Sequence, residues 1–413
     1  MRRVVVTGVG TISPCGLDVA TTWSAITKGQ SGIAPITKFD TEAFPTKIAG
    51  ECTGFDPKQY FEKKRIREGD TFIHLAMGAS VQAIEDARFE PDDALKERTG
   101  TFIGVGLGGL PLIEAQCDVI RDRGPRRVTP YFIPGAIANL APGMVSIRYG
   151  LKGPSYTTTS ACSSGAHAIG EAMKWIQRGG IDAAVAGGAE STITPLGVGG
   201  FNAMRALSKR NDEPDKASRP FDKGRDGFVI AEGAGVLMLE EREAAIARGA
   251  KIYCEVVGYG ATADAYHLSQ PAPEGEGAQR AMKAALQDAG VDPAEVEYIN
   301  AHGTSTPAGD MNELMGIQAV FGDHAKNGLM ISSTKSMTGH LLGAAGGLET
   351  VLCALAIRDS VVPATINLDD PDERAEGFDL VPNEAREKRL SAVLSNSFGF
   401  GGTNVSLVLK RHG

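Results

Sequence analysis

Gln82–Leu95 (QAIEDARFEPDDAL) and Lys283–Val296 (KAALQDAGVDPAEV) are two versions of one phrase. Each ends a helix, turns through a Pro beside acidic residues, and runs into a strand. In the first version the helix covers Ala76–Ala87 and the strand Thr99–Gly106; in the second they cover Gly277–Ala289 and Glu297–Ala301. Outward from there, the opening strand Arg3–Gly10 has a counterpart in Lys251–Gly260 (KIYCEVVGYG). Asp182–Gly188 answers to Ser391–Ser397, both running into Gly-rich turns, and Gly233–Glu240 answers to Thr403–Lys410. Self-similarity of this kind marks a duplicated architecture, and strands alternating with helices make it α/β with mixed sheets. The predicted fold is therefore two α/β halves, 1–250 and 251–413, each within ordinary domain size. Two stretches stand outside the repeat. Ala20–Asp70 has no clear period and reads as a surface excursion. Gly108–Gly150, with Pro111, Pro125, Pro130 and Pro134, reads as an insertion of the kind that caps a site or forms a subunit contact.

The 413 residues are 42% hydrophobic and 22% charged, an ordinary globular balance. A net charge of −8 argues against bulk nucleic-acid binding, although local basic patches are compatible with it. The three apolar residues Val4–Val6 are too few for a signal-peptide core and fit a first strand. No run approaches the roughly 18 apolar residues of a membrane span. Six scattered cysteines form no C-x-x-C pair, so a zinc ribbon, a dithiol motif and a disulfide framework are all disfavoured. A reducing, cytoplasmic compartment is expected.

Between the β-branched and aromatic stretch Tyr156–Thr159 and a helical pattern over Ala166–Gln177 lies Thr159-Ser160-Ala161-Cys162-Ser163-Ser164-Gly165. Tyr156–Thr159 reads as a short strand, so Cys162 is placed at a strand-to-helix turn. Amide N–H groups at the positive end of a helix would favour its thiolate. A reactive thiol and a buried structural cysteine both remain open from this turn alone. The edge strand near Thr157, rich in β-branched residues, is expected to be covered by a second copy of the chain.

The second half supplies three more motifs. Asn300–Asp310 (NAHGTSTPAGD) puts His302 where a strand ends in a turn. Ser332–His340 (SSTKSMTGH) carries Lys335 five residues before His340, which opens the helix equivalent to the one after Cys162. A pseudo-twofold would bring Cys162 and His340 to one interface. A buried Lys needs an acidic partner, and Glu349 lies nine residues past His340 on that same helix. Asn396–Asn404 (NSFGFGGTN) could expose backbone N–H groups in an oxyanion-hole turn.

Together, in this order and spacing, TSACSSG, NAHGTSTPAGD, STKSMTGHLLGAAG and SNSFGFGGTN resemble a β-ketoacyl–acyl carrier protein synthase of the elongating type, from Arg3 to Lys410. The segments PLGVGGFNAMRALSKRND and ASRPFDKGRDGFVIAEGAG are similar to the same family. The resemblance implies a thiolase-like fold layered αβαβα, an acyltransferase that elongates fatty acids, and a homodimer. It implies Cys162 as nucleophile, His302 and His340 as the catalytic histidines, and Lys335 and Glu349 as their charged support. Phe400 is implied as the gate whose N–H joins that of Cys162 in the oxyanion hole. Thr304, Thr306, Ser269, Leu107, Phe201 and Phe398 are implied at the substrate. An acidic acyl carrier protein would dock on Lys64, Arg67, Arg126, Arg127 and Arg205. No metal or redox cofactor is expected, since the substrates ride on the carrier's phosphopantetheine. Ser269 stands where the family often has Thr, and Leu107 where Ile is commoner. A polyketide ketosynthase is the alternative. A thiolase would carry a second cysteine in Ser395–Asn404, and a polyketide chain-length partner would lack the nucleophile.

Overall fold

The computed structural model describes residues 1–413. Ten strands form one sheet: β1 (Val4–Ile12), β2 (Thr99–Gly104), β3 (Ser155–Tyr156), β4 (Ala183–Glu190), β5 (Gly233–Glu241), β6 (Cys254–Ala263), β7 (Tyr298–Asn300), β8 (Met330–Ser332), β9 (Ala392–Gly399) and β10 (Thr403–Lys410). Their order is β8-β7-β9-β10-β6-β1-β5-β4-β2-β3. Each half thus runs in the same sequence outward from the join, β1 answering to β6, β2 to β7, and so on. In both halves the first pairings are antiparallel and the outer two parallel. The halves join where β1 meets β6 antiparallel, Val5 opposite Glu255 and Val6 opposite Cys254, as a twofold between equivalent strands requires.

The repeated phrase explains the helix packing. In β1 a Cβ at Gly8 or Gly10 would lie 2.1 and 2.0 Å from the carbonyls of Ala83 and Ala79 on helix α1 (Thr71–Asp86). In β6 a Cβ at Gly258 or Gly260 would lie 2.3 and 2.1 Å from those of Ala285 and Ala281. These carbonyls belong to helix α3 (Glu276–Ala289). Only glycine admits a helix backbone this close to a strand. These helices cover the outer faces. Helices α2 (Ser164–Gln177) and α5 (Ala345–Asp359) pack against each other and against the inner faces of the strands. Their apolar residues merge with those of both halves in one core that includes Ile169, Met173, Leu348 and Leu352. Helix α4 (Gly309–Phe321) completes the outer layer of the second half.

Three expectations need correction. Ala20–Asp70 is not a surface excursion throughout. It contains the helix Val19–Thr27, and Trp23, Ile26 and Ile48 are buried in the core. In the strand read over Tyr156–Thr159 the regular ladder covers only Ser155–Tyr156; beyond it a single backbone bond, from the Val105 N–H to the Thr158 carbonyl at 3.1 Å, holds the chain as it runs to the Cys162 turn. His340 does not open its helix directly. A single tight turn, Leu342–Ala344, intervenes, with Leu342 at φ +49°.

Candidate active site

The Cys162 turn is built by small side chains that bind backbone. Ala161 adopts φ +51°, a strained value for a residue with a Cβ, which turns Cys162 toward the second half. Ser164 Oγ accepts the Ser160 N–H at 2.9 Å and donates to the Ala161 carbonyl at 2.6 Å. Ser163 Oγ makes bonds of 2.9 and 2.8 Å to the carbonyls of Ser397 and Thr403, stitching the turn to the β9–β10 hairpin. That hairpin presents Phe400. The backbone N–H groups of Phe400 and of Cys162 itself lie near the sulfur and favour its charged form. They are placed to hold an oxyanion formed there.

The resting thiol departs from the sequence expectation. Burial pushes Cys162 up to about 12, and the charge of Lys335 and the two N–H groups only partly oppose it. Helix α2 begins two residues later, at Ser164, with no side-chain cap. Desolvation of the charge outweighs the helix end, and the resting residue is a thiol.

His302 and His340 face each other with ring centroids 5.3 Å apart and planes at 88°. Phe228 meets the His340 ring edge-on at 5.4 Å, and Phe398 lies 5.7 Å from the His302 ring. Both ring nitrogens of His340 and Nδ1 of His302 are buried without a protein partner. Burial and the nearby positive charge of Lys335 hold both imidazoles well below their ordinary pKa, so both are neutral. Lys335 and Glu349 are almost wholly buried and bonded to each other, as the sequence reading expected. Burial pushes Glu349 upward against the pull of that ammonium.

Cys162, His302, His340 and Phe400 line one cavity of about 650 Å³ with Leu107, Phe201, Ser269, Thr304, Thr306 and Phe398. Lys335 and Glu349 stand behind its wall. Thr304 and Thr306 hydroxyls are 3.2 Å apart, and Phe201 packs edge-on against Phe228. Of the basic residues, Arg205 sits on the cavity lining. Lys64, Arg67, Arg126 and Arg127 are exposed on the surface outside it. Lys64 pairs with Glu62, whereas Arg67 lies over the Tyr131 ring.

Sequence reasoning missed several residues that hold the site. Glu313 on α4 accepts the N–H groups of His302 and Gly303, both at 2.8 Å, and a bond of 3.1 Å from Asn396. Arg225 is buried and donates to the carbonyls of Thr306 (3.2 Å) and Pro307 (2.9 Å). Asp310 receives the N–H groups of Thr306 and Phe221 at 3.2 and 2.9 Å. Together they clamp the loop after His302. The available signal was the placing of two carboxylates, Asp310 and Glu313, in the first turns of a largely apolar helix.

A buried cysteine beneath two amides, facing two neutral imidazoles across an apolar cavity on a duplicated α/β scaffold, defines an acyl-transferring condensing enzyme. The family model described as Beta-ketoacyl synthase, N-terminal domain, matches residues 1–245, and its C-terminal domain counterpart matches 253–369. The chain belongs to the beta-ketoacyl synthase family, which has the thiolase-like fold. It is 55% identical over 410 residues to the 3-oxoacyl-[acyl-carrier-protein] synthase 2 of Coxiella burnetii, covering 99% of each chain. The solved beta-ketoacyl synthase from Burkholderia phymatum STM815 is 36% identical, with a TM-score of 0.93 over 100% of both chains. AntDE:AntF is a type II polyketide acyl-carrier protein in complex with its ketosynthase. It is similar at 33% identity, with a TM-score of 0.92 over 100% of both chains.

Proposed function

We propose that the protein elongates fatty acyl chains by decarboxylative Claisen condensation, giving 3-oxoacyl-acyl carrier protein from an acyl group and malonyl-acyl carrier protein. The observation that carries this reading is the convergence of Cys162, His302 and His340 on one cavity. Cys162 attacks the acyl thioester, and the N–H groups of Cys162 and Phe400 hold the oxyanion. The carrier sulfur leaves with the thiol proton. A malonyl thioester then enters. Its carbon–carboxylate bond breaks, carbon dioxide departs, and the electron pair moves to the thioester oxygen as an enolate. Neutral His302 and His340 donate N–H bonds to that oxygen, stabilising charge that appears only as the bond breaks. The enolate carbon attacks the acyl carbonyl, and collapse expels the Cys162 sulfur, which takes up a proton. These steps call on no metal and no redox cofactor.

Fatty acid elongation is favoured over a polyketide role because identity to the Coxiella synthase 2 is well above that to the polyketide ketosynthase. An acidic carrier protein would meet Lys64, Arg67, Arg126, Arg127 and Arg205. All five are exposed, and only Lys64 has a carboxylate partner. A homodimer is supported by the short edge strand β3 and by the exposed Ile133, Ile137 and Ile147 of the neighbouring insertion. Six free cysteines fit a reducing cytoplasm, and no helix is long and apolar enough to cross a membrane. The test is condensation of defined acyl-carrier thioesters with malonyl-carrier protein, read as the 3-oxoacyl product. Absence of that product with every donor would end the proposal.

A further inference from the structure

One buried acid lines the cavity without a part in the chemistry above. Glu190 closes β4, a strand otherwise made of alanine, valine and glycine (AAVAGGAE), and it is fully buried. No cation pairs with it. Its Oε2 accepts the N–H of Gly106 at 2.7 Å and those of Leu107 and Gly343 at 3.2 Å. Its Oε1 accepts Leu107 at 3.2 Å and Gly108 at 3.1 Å. Three consecutive amides and a fourth from the other half thus converge on one carboxylate, in the manner of an anion nest. There is no slack. A Cβ at Gly106 would lie 2.4 Å from Oε2, and one at Gly343 would lie 2.7 Å from it and 2.3 Å from Gly106 N.

A buried carboxylate without a cation is costly unless N–H groups replace its water. Burial pushes Glu190 up to about 7 while the four amides pull it down. An apolar residue would fill the same space but could not hold either segment. The segment Gly106–Gly108 carries Leu107 into the acyl cavity. The Gly343 turn follows His340, whose own backbone is anchored independently: its N–H bonds Val229 at 2.8 Å and its carbonyl accepts Ala231 at 3.0 Å.

We propose that Glu190 is a positioning residue for acyl-chain selection, fixing the Gly106–Gly108 backbone, and so the Leu107 wall, in register with the Gly343 turn. This rests on the condensing-enzyme reading, since it takes acylation of Cys162 as the step that selects the chain. Loss of the carboxylate frees the wall and leaves His340 held.

Glu190→Gln keeps the size but turns an NH2 group toward N–H groups. Acylation of Cys162 is followed by mass for a series of short to long acyl-carrier thioesters, alongside carbon dioxide release from malonyl-carrier protein. The ratio of long-chain to short-chain kcat/KM should shift by about tenfold, the worth of a charge-assisted bond. Carbon dioxide release should stay within about threefold. Should Glu190→Gln not fold, Glu190→Asp, which keeps the charge but withdraws it by one methylene, should shift the same ratio. An equal fall for every chain length, or a matching fall in carbon dioxide release, overturns the proposal. If the unaltered protein itself took no acyl group on Cys162, the condensing-enzyme reading would fail instead.

Discussion

The Cys162 turn and the His340 turn occupy the same place in the two halves, each between a strand and a central helix, yet they are built differently. The first is a strained backbone at Ala161 laced by serine hydroxyls, with small side chains all round the sulfur. The second is an aromatic pocket in which Phe228 and His302 flank His340 and a buried Lys335 adds charge behind. A duplicated scaffold has placed two reacting groups face to face, and each half then tuned its own turn. In the proposed reaction, amide dipoles at the first would serve an oxyanion on the acyl carbonyl, and neutral ring donors at the second an enolate on the malonyl unit.

The contrast breaks outright if Cys162 is not the acyl carrier. Cys162→Ala should abolish both the acyl adduct and condensation, while leaving the two imidazoles in place. Mass mapping after incubation with an acyl-carrier thioester should find the adduct on Cys162. An adduct on Cys15 or Cys254 would overturn the assignment. Burial pushes the thiols of Cys15 and Cys162 alike up to about 12 and that of Cys254 higher still, so what sets Cys162 apart is its place on the cavity beside two N–H groups.

Next in size is the separation of steps. His302→Ala and His340→Ala should each lower carbon dioxide release from malonyl-carrier protein by about a hundredfold, as loss of an oxyanion-hole donor does. Acylation of Cys162 should be largely retained in both. If His340→Ala blocked acylation and spared carbon dioxide release, His340 would be the base for the thiol and the two turns would not be divided as argued.

Much of this was legible in the chain. The repeat follows from QAIEDARFEPDDAL against KAALQDAGVDPAEV, because helix ends and turn chemistry are local, while the roles expected of Cys162, His302 and His340 rest on the resemblance of four short motifs to a family. The thiol's resting state was not legible. A helix end can be read from local pattern, but the desolvation that outweighs it depends on how both halves close over Cys162. Glu190, Glu313 and Arg225 were missed for the same reason. Their partners are mostly backbone N–H and carbonyl groups, 84 residues away for Glu190, 81 for Arg225 and 11 for Glu313, and backbone carries no letter to read. The helix Val19–Thr27 was hidden because its apolar residues serve a core shared with the distant Asp359 helix, to which Trp23 bonds at 2.7 Å.

A smaller effect bears on both turns equally. Arg126→Glu combined with Arg127→Glu should raise KM for acyl-carrier and malonyl-carrier substrates alike by about tenfold at low salt, with reduced salt sensitivity. Pantetheine thioesters, which lack the carrier surface, should be processed normally. A defect confined to one carrier substrate would show that the turns are served by separate docking routes. A defect with pantetheine thioesters would place the fault in folding or chemistry.

The smallest expected effect is no change at all, and it tests the second turn directly. Burial and Lys335 hold His302 and His340 below their ordinary range. A lowered imidazole pKa means the neutral ring survives as the pH falls past about 6.5, where a free histidine gains its proton. Histidine ring resonances assigned by their loss in the two alanine variants should therefore keep neutral shifts from about pH 8 to 6. Carbon dioxide release should show no fall with an imidazole midpoint over that range. Lys335→Met removes the charge while keeping an unbranched side chain, although it leaves Glu349 buried without its partner and so costs stability. In that variant both rings should gain protons at higher pH than in the unaltered protein, since one of the causes holding them neutral is gone. If the resonances already moved through a midpoint near 6.5 in the unaltered protein, the surroundings would not be holding the rings neutral. Below that midpoint the second turn would then act through charge rather than through neutral donors.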